Sequence, residues 1–351
     1  MLEFPIGAFV PAFILCWILI PLARRLALAT NLVAAVRPDR LHKEVRPYGG
    51  GLAIAGVLIL FYIIAILAPG VFGITGTPTL VRLGIGAVFF FILGMIDDRY
   101  ALPAAPKLLL QLAGAALVVV GLEISATVWL TVPHAGEVVS ILWIVAVVNA
   151  YNMLDHADGL AAAVGTLALV AFAVGQMTVG QVTDEMVVPV IAFVTAGALA
   201  GFLTANFPPA KLFMGDAGSS LVGYLLGALT IVGQYYFPDR TPSRWVVLIP
   251  LAILAVPLFD MVCVVAGRLV RGQNPMVGDA TSHLAHRMLA RGVGPRKVVL
   301  FAAAMAALTG AASVVMYHVQ EWALLAAWGT VAAALGMMLI ARRRPRTEAA
   351  R

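Results

Sequence analysis

Long apolar stretches separated by short polar ones run through the whole chain of 351 residues. A membrane-spanning helix needs about 20 mostly apolar residues. Stretches that meet or approach this lie at about 4–23, 50–68, 82–96, 106–122, 137–151, 159–178, 187–203, 218–236, 244–266, 297–316 and 320–341. The pattern predicts an all-α polytopic membrane helix bundle of about 11 transmembrane helices. The stretches at 82–96 and 137–151 are short, and packing inside the bundle is one reading of them. No soluble module, low-complexity tract or internal repeat interrupts the pattern, so residues 1–351 read as one transmembrane domain.

Composition agrees with this and narrows it. Hydrophobic residues make up 62% and charged residues 11%, with a mean hydropathy of +0.98. Soluble domains carry about 25% charge, so an ordinary soluble protein is excluded. Cys16 and Cys263 both fall in apolar stretches, which gives no disulfide framework. A net charge of +6 in a soluble chain would suggest nucleic acid. Here the basic residues read instead as topology signals, and no nucleic-acid partner is expected. The first apolar stretch has no basic residue before it, and Arg24 and Arg25 follow it. It therefore reads as a spanning helix with an outer N-terminus, not a cleavable leader. On that assignment the loops near 24–49, 97–105, 152–158, 204–217 and 267–296 and the C-terminal tail are cytoplasmic. Of the 23 Lys and Arg residues only Arg82, Arg240 and Arg244 fall on the other side. Moving the topology by one helix would destroy that asymmetry.

The outer segments are bland. The inner ones hold Asp97, Asp98, Asn149, Asn152, Asp155, Asp158, Asn206, Asp216, Asp260, Asp279, His283 and His286. Single Asp or Asn residues at helix ends are ordinary caps. A dozen on one face, at bilayer depths where an unpaired charge costs roughly 3 kcal/mol, need a common ligand or cleft.

Asp97 and Asp98 are adjacent, so on a helix their side chains diverge by about 100° and rarely share one ion. One could act as base or metal partner while a cation such as Lys107 holds the other. The alternative is a helix-end pair that only solvates a loop. Asn149, Asn152, Asp155 and Asp158 recur every third residue, a spacing that would put Asn149, Asn152 and Asp155 on one helix stripe. Hard oxygens of this kind suit Mg²⁺ or Mn²⁺, or hydrogen bonds to a polar ligand. Phe213-Met-Gly-Asp216-Ala-Gly-Ser-Ser leads into the eighth stretch. Its glycines and serines would expose helix N-terminal amides as a phosphate cradle, with Asp216 placed to hold a phosphate-bound metal. A plain Ser cap with Gly for close packing is the competing reading. His283, His286 and Arg287 sit in the longest inner loop. Without a Cys or third His nearby in sequence, zinc is disfavoured, and an anion clamp fits better. Three glycines, Gly49 to Gly51, open the second stretch after Arg46, Pro47 and Tyr48.

In order along the chain these motifs resemble the polyprenyl-phosphate N-acetylhexosamine-1-phosphate transferases. The resemblance runs through His42…Pro47…Gly-Gly-Gly, Asp97-Asp98 with Lys107 and Gln111, Asn149-x-x-Asn152-x-x-Asp155-x-x-Asp158-Gly-Leu, Phe213-Met-Gly-Asp216-x-Gly-Ser, Pro257-Leu-Phe-Asp260 and the histidine loop. It implies transfer of a sugar-1-phosphate from a UDP-sugar to polyprenyl (undecaprenyl) phosphate, with UMP released and Mg²⁺ required. The setting implied is the cell inner membrane with a cytoplasmic site, and it leaves room for a homodimer. It implies Asn152 and Asp216 as metal ligands and Asp97 as base or orienter, with Asp98 and Lys107 as its partners. It places Asp158, Asn206 and Phe213 at the uracil, with Asn149 and Asp155 also toward substrate. It assigns His283, His286 and Arg287 to sugar or phosphate.

The chain departs from the pattern at three places. His156 stands where Gly is usual, Ala101 where some relatives carry a charge, and the histidine loop reads His-Leu-Ala-His with one residue added after Asp279. The consecutive histidines of the muramoyl-pentapeptide branch are missing, which favours a simple N-acetylhexosamine. The alternative from another class is a cation-coupled transporter. That would need polar groups near mid-membrane and toward the far side, where this chain has almost none.

Overall fold

The structure, a computed structural model, describes residues 6–34, 46–72, 77–125, 134–179, 186–233, 235–236, 243–276 and 280–342. Asp279, the whole basic segment 37–43 with His42, and the tail beyond Arg342 lie outside the described residues.

Thirteen α-helices make up the described chain. They are α1 (Phe9–Ala29), α2 (Gly50–Leu67), α3 (Thr77–Tyr100), α4 (Ala104–Ala116), α5 (Ala135–Leu154), α6 (Leu160–Val179), α7 (Val187–Asn206), α8 (Gly215–Val232), α9 (Ile249–Ile253), α10 (Ala255–Val270), α11 (Leu284–Ala290), α12 (Pro295–Met316) and α13 (Glu321–Ala341). A two-stranded antiparallel ribbon, β1 (Val33–Ala34) with β2 (Arg46–Pro47), is the one extended pairing among the described residues.

Ten helices are long and apolar enough to cross a membrane, or 11 with one bent pair counted as a span. That pair is the stretch read as 244–266. It breaks into Arg244–Ile253 and Ala255–Val270, inclined by 72°. The two short stretches turn out full length, Pro78–Tyr100 and Ala135–Leu154. The apolar stretches alone end at Arg82 and Asp97 on one and at Glu137 and Asn152 on the other. The helices simply continue through these polar ends. At 1.5 Å per residue, 20 residues cover about 30 Å, the thickness of a bilayer's hydrocarbon core.

The bundle is built around α7 and α8, whose spans are the most buried. α1 and α6 pack on α7, α3 and α5 flank α8, α10 lies on α5, and α12 joins α6 to α13. Small residues set these distances, as expected where lipid removes the hydrophobic drive between helices. A Cβ on Gly197 would come within 2.3 Å of the Phe9 carbonyl oxygen, and one on Gly201 within 2.5 Å of that of Phe13. The helices on the rim, α1 and α13, keep their Trp, Ile and Leu side chains outward, as a lipid-facing surface requires.

Candidate active site

One end of the bundle encloses a cavity of about 1260 Å³. The last turns of α3 and α5, the first turns of α4, α8 and α12, and the middle of α10 form its walls.

The entry to α8 is the keystone. The segment after β2 runs beside it: Phe213 donates its N–H to the Pro47 carbonyl (3.0 Å), while Gly50 and Gly51 donate to the carbonyls of Phe213 (2.8 Å) and Met214 (2.9 Å). The glycine run exists because the backbones nearly touch. A Cβ on Gly51 would lie 2.5 Å from the Gly218 nitrogen, and one on Gly94 would lie 2.2 Å from the Asp216 carbonyl oxygen. Gly215 has φ +75°, the left-handed region that favours glycine.

Asp98 lies against this turn. Its two carboxylate oxygens accept the backbone N–H groups of Asp216 (2.8 Å) and Ala217 (2.9 Å). The side chain thus caps α8 from another helix. The expected phosphate cradle at this helix start is changed accordingly, because two of its amides are already taken by Asp98. Asp98 is not on the cavity wall.

Asp97 is. Its Oδ2 meets Lys107 Nζ at 2.5 Å, and its Oδ1 accepts the Leu102 N–H at 2.8 Å. Lys107 reaches on to Asp216 Oδ1 at 3.0 Å, so one ammonium bridges two carboxylates. Asn152 also donates to Asp216 Oδ1, and to Ser219 Oγ at 3.0 Å. The Asp216 side chain stays 36% exposed, whereas those of Asp97 and Lys107 are 7% and 17% exposed. Asn149, beside them, donates to Gln111 Oε1 at 2.7 Å.

The candidates for the nucleobase gather at one edge of the same cavity. Phe213 lies beside Tyr48, with ring centres 6.3 Å apart, and Arg46 sits 5.5 Å over its ring. Asp158 accepts the Ala210 N–H (2.8 Å) and pairs with Arg46 (3.4 Å). Asn206 is on the wall, but its amide staples the backbone: its Oδ1 accepts from Gly159 N–H and its Nδ2 donates to the Leu212 carbonyl, both at 2.8 Å. Asp155 lines the cavity between these groups and the histidines.

The histidines occupy the opposite edge. His283 Nδ1 stands 2.7 Å from Asp260 Oδ2, and Asp260 Oδ1 accepts from Leu284 N–H (2.9 Å) and Arg342 (2.7 Å). His156 packs its ring on those of His283 (4.2 Å) and His286 (5.1 Å). Burial, with His283 adding to it, pushes His156 down to about 3, so it stays neutral. Arg287, expected as part of an anion clamp, is directed instead to the carbonyls of Ser282 (3.1 Å) and Arg342 (3.3 Å) and is not on the wall.

The cavity therefore brings together Asp97, Lys107, Asn149, Asn152, Asp155, Asp158, Asn206, Phe213, Asp216, His283 and His286, and leaves Asp98 and Arg287 behind it. It adds Tyr48, Arg296 and Lys297, to which the sequence alone gives no site role, together with Ser219 and Arg268. Arg296 and Lys297 read from the sequence only as topology signals. The Gly-Pro opening of α12 was the one local sign that Arg296 and Lys297 begin a helix.

The sequence profile of glycosyl transferase family 4 matches residues 80–234. The chain is 30% identical over 325 residues to the probable undecaprenyl-phosphate N-acetylglucosaminyl 1-phosphate transferase of Bacillus subtilis (strain 168), covering 90% of this chain and 86% of that one. It is 32% identical over 346 residues to the decaprenyl-phosphate N-acetylglucosaminephosphotransferase of Mycobacterium tuberculosis (strain ATCC 25618 / H37Rv), covering 91% and 82%. The undecaprenyl-phosphate alpha-N-acetylglucosaminyl 1-phosphate transferase of Yersinia pestis is 27% identical over 325 residues, covering 87% and 83%. The chain belongs to the polyprenyl-phosphate N-acetylhexosamine-1-phosphate transferases. Within this transferase the profile takes in α3 to α8, and with them Asp97, Lys107, Asn152 and Asp216. The Arg46–Tyr48 corner and the histidine-edge residues Asp260, His283 and His286 lie outside the profile, whereas His156 lies within it.

Proposed function

We propose that this multi-pass membrane transferase moves N-acetylglucosamine-1-phosphate from UDP-N-acetylglucosamine to a polyprenyl phosphate such as undecaprenyl phosphate, releasing UMP. The observation that carries the reading is the Asp97–Lys107–Asp216–Asn152 cluster, four groups from four helices meeting on the wall of one cavity. The relatives' names supply the sugar and the lipid. The basic-residue asymmetry supports a cytoplasmic cavity, an outer N-terminus and an inner-membrane setting, where a nucleotide sugar and a lipid phosphate can meet.

The residues fit a hard divalent cation. Asp216 keeps an exposed carboxylate, with the Asn152 amide and Ser219 hydroxyl alongside, an all-oxygen set of the kind Mg²⁺ accepts together with substrate phosphates. Asp216 and Asn152 would hold Mg²⁺, with Mn²⁺ as a substitute, and the ion would neutralise diphosphate charge. The protein's own groups do the rest. An oxygen of the lipid phosphate attacks the sugar-bearing phosphorus, forming one P–O bond as the bond to UMP breaks. Two anions must approach, and Lys107, Arg268, Arg296 and Lys297 lower that repulsion. A phosphomonoester, with its second pKa near ~6, is already largely dianionic at neutral pH. Asp97 therefore serves chiefly to fix the Lys107 ammonium, and removes at most a residual proton. Phe213 offers a face to the uracil, with Tyr48 and Arg46 holding that face in place.

Purified protein given undecaprenyl phosphate, Mg²⁺ and a panel of UDP-sugars should release UMP with UDP-N-acetylglucosamine. Asp216→Ala should abolish that release. No UMP with any sugar, or release unaffected by Asp216→Ala, would sink the proposal.

A further inference from the structure

The same cavity is lined by a second set of donors with different chemistry. His156 Nδ1 is 2.6 Å from the Met153 carbonyl oxygen. A carbonyl only accepts, so the proton sits on Nδ1 and Nε2 is left as a bare lone pair. That Nε2 is buried without a hydrogen-bond partner. His283 repeats the arrangement. Its Nδ1 faces Asp260 at 2.7 Å, which puts Nε2 at the far edge of a ring on the cavity wall. The two ring centres are 4.2 Å apart.

Folding alone does not call for this. A buried acceptor left unsatisfied costs about 1–3 kcal/mol. A metal-binding imidazole has the same form: neutral, one nitrogen tied to a carboxylate or carbonyl, the other presented to the ion. One donor atom from each of His156, Asp260 and His283 lies within 4.8 Å of the others. Asp260, already holding Arg342 and the Leu284 N–H, is placed to orient His283 from behind.

We propose that His156 and His283, backed by Asp260, form a binding site for a borderline divalent transition metal such as Zn²⁺ or Ni²⁺, separate from the oxygen donors at Asp216. Imidazole nitrogen favours such ions, whereas carboxylate and amide oxygens favour Mg²⁺, so the two edges select different metals. An ion held here occupies part of the cavity that the substrates must enter and inhibits transfer. That second consequence alone rests on the function proposed above.

Tag-free protein in detergent, stripped with chelator, would be titrated with Ni²⁺ and with Zn²⁺ in excess Mg²⁺. Bound ion and melting temperature would both be followed. The wild type binds one ion per chain and its melting temperature rises, an effect Mg²⁺ alone does not give. His156→Phe keeps a ring in the stack but removes both nitrogens. It loses more than the roughly 10–100-fold in affinity that loss of an outer-shell partner costs. Should His156→Phe melt below the stripped wild type, His156→Gln gives the same comparison with a polar side chain. No bound ion in the wild type, or equal binding by the variant, overturns the site. So does unchanged metal binding with a raised KM for the UDP-sugar, which would assign the lone pair to a substrate hydroxyl. Only the KM reading depends on UMP release, so failure of the transfer reaction would leave the titration and the melting temperatures intact.

Discussion

The two edges of the cavity use the same kinds of side chain for opposite ends. At the Asp216 edge the charges are close but incompletely satisfied. One ammonium serves two carboxylates, and Asp216 remains 36% exposed. At the histidine edge the Asp260, His283 and Arg342 side chains are 3%, 6% and 6% exposed, and the Asp260 oxygens are taken by His283, Arg342 and Leu284. Arg342 NH2 also reaches the Ser282 carbonyl at 2.7 Å. The first edge is short of positive charge until a cation and substrate arrive. At the second the carboxylate is fully partnered without them, and it ties the end of α13 to the loop that carries the histidines. A carboxylate in a cavity is thus no guide to its role until its partners are counted.

The sharpest break of this contrast pairs two substitutions. Asp260→Ala leaves Arg342 buried without its counter-charge, and breaking a buried pair in this way costs roughly 3–5 kcal/mol. Thermal unfolding in detergent should show a large drop in melting temperature. Asp216→Asn removes a charge that water still reaches. It should melt close to the wild type while UMP release falls by about 10²–10³-fold, the scale lost with one electrostatic contact to a reacting group. A variant pair with these outcomes exchanged would show that the two edges have been assigned the wrong way round.

Asp98 tests a smaller step of the same argument, since it belongs to neither edge but holds one of them in shape. Loss of a helix N-cap side chain costs about 0.5–2 kcal/mol. Asp98→Ala should therefore lower the melting temperature modestly. Its activity should fall mainly because the α8 entry carrying Asp216 loosens, and Asp98→Asn, which can still accept one N–H, should recover part of both. If Asp98→Ala melts as the wild type yet is inactive, the side chain acts on substrate and the cap is incidental.

How much of this could be read from the chain follows from which interactions are local. The helical spans were legible because apolar length is a local property, and the clustering of acids on one face followed from counting loops. The polar ends of α3 and α5 are missed by apolar length because Asp97 and Asn152 look like loop residues until their partners are known. The division of labour between Asp97 and Asp98 was not legible. Adjacent residues on a helix point different ways, and only the approach of Gly215, enforced by Gly94, decides which one caps α8. Asn206 and Arg287 looked like ligand groups from their types, but their hydrogen-bonding capacity goes to backbone brought near by the fold. Arg342 lies 82 residues from Asp260, a pairing that no spacing rule reaches.

The finest distinction between the edges is in their response to acid. His156 sits at about 3 in the folded protein because burial and the neighbouring His283 and His286 disfavour its charged form, while Asp260 pulls the other way. In the unfolded chain it returns to the ordinary value near ~6.5. Between these values the unfolded state binds a proton that the folded state refuses, so stability falls as pH drops below about 6.5 and is unaffected by this group above it. The slope is at most about 1.4 kcal/mol per pH unit. Melting temperatures of wild type and His156→Phe, measured from neutral pH toward pH ~5, should diverge only on the acid side, with the wild type losing more. Parallel curves would mean that the His156 ring takes up its proton in the folded state, and that the histidine edge is as open to water as the edge at Asp216.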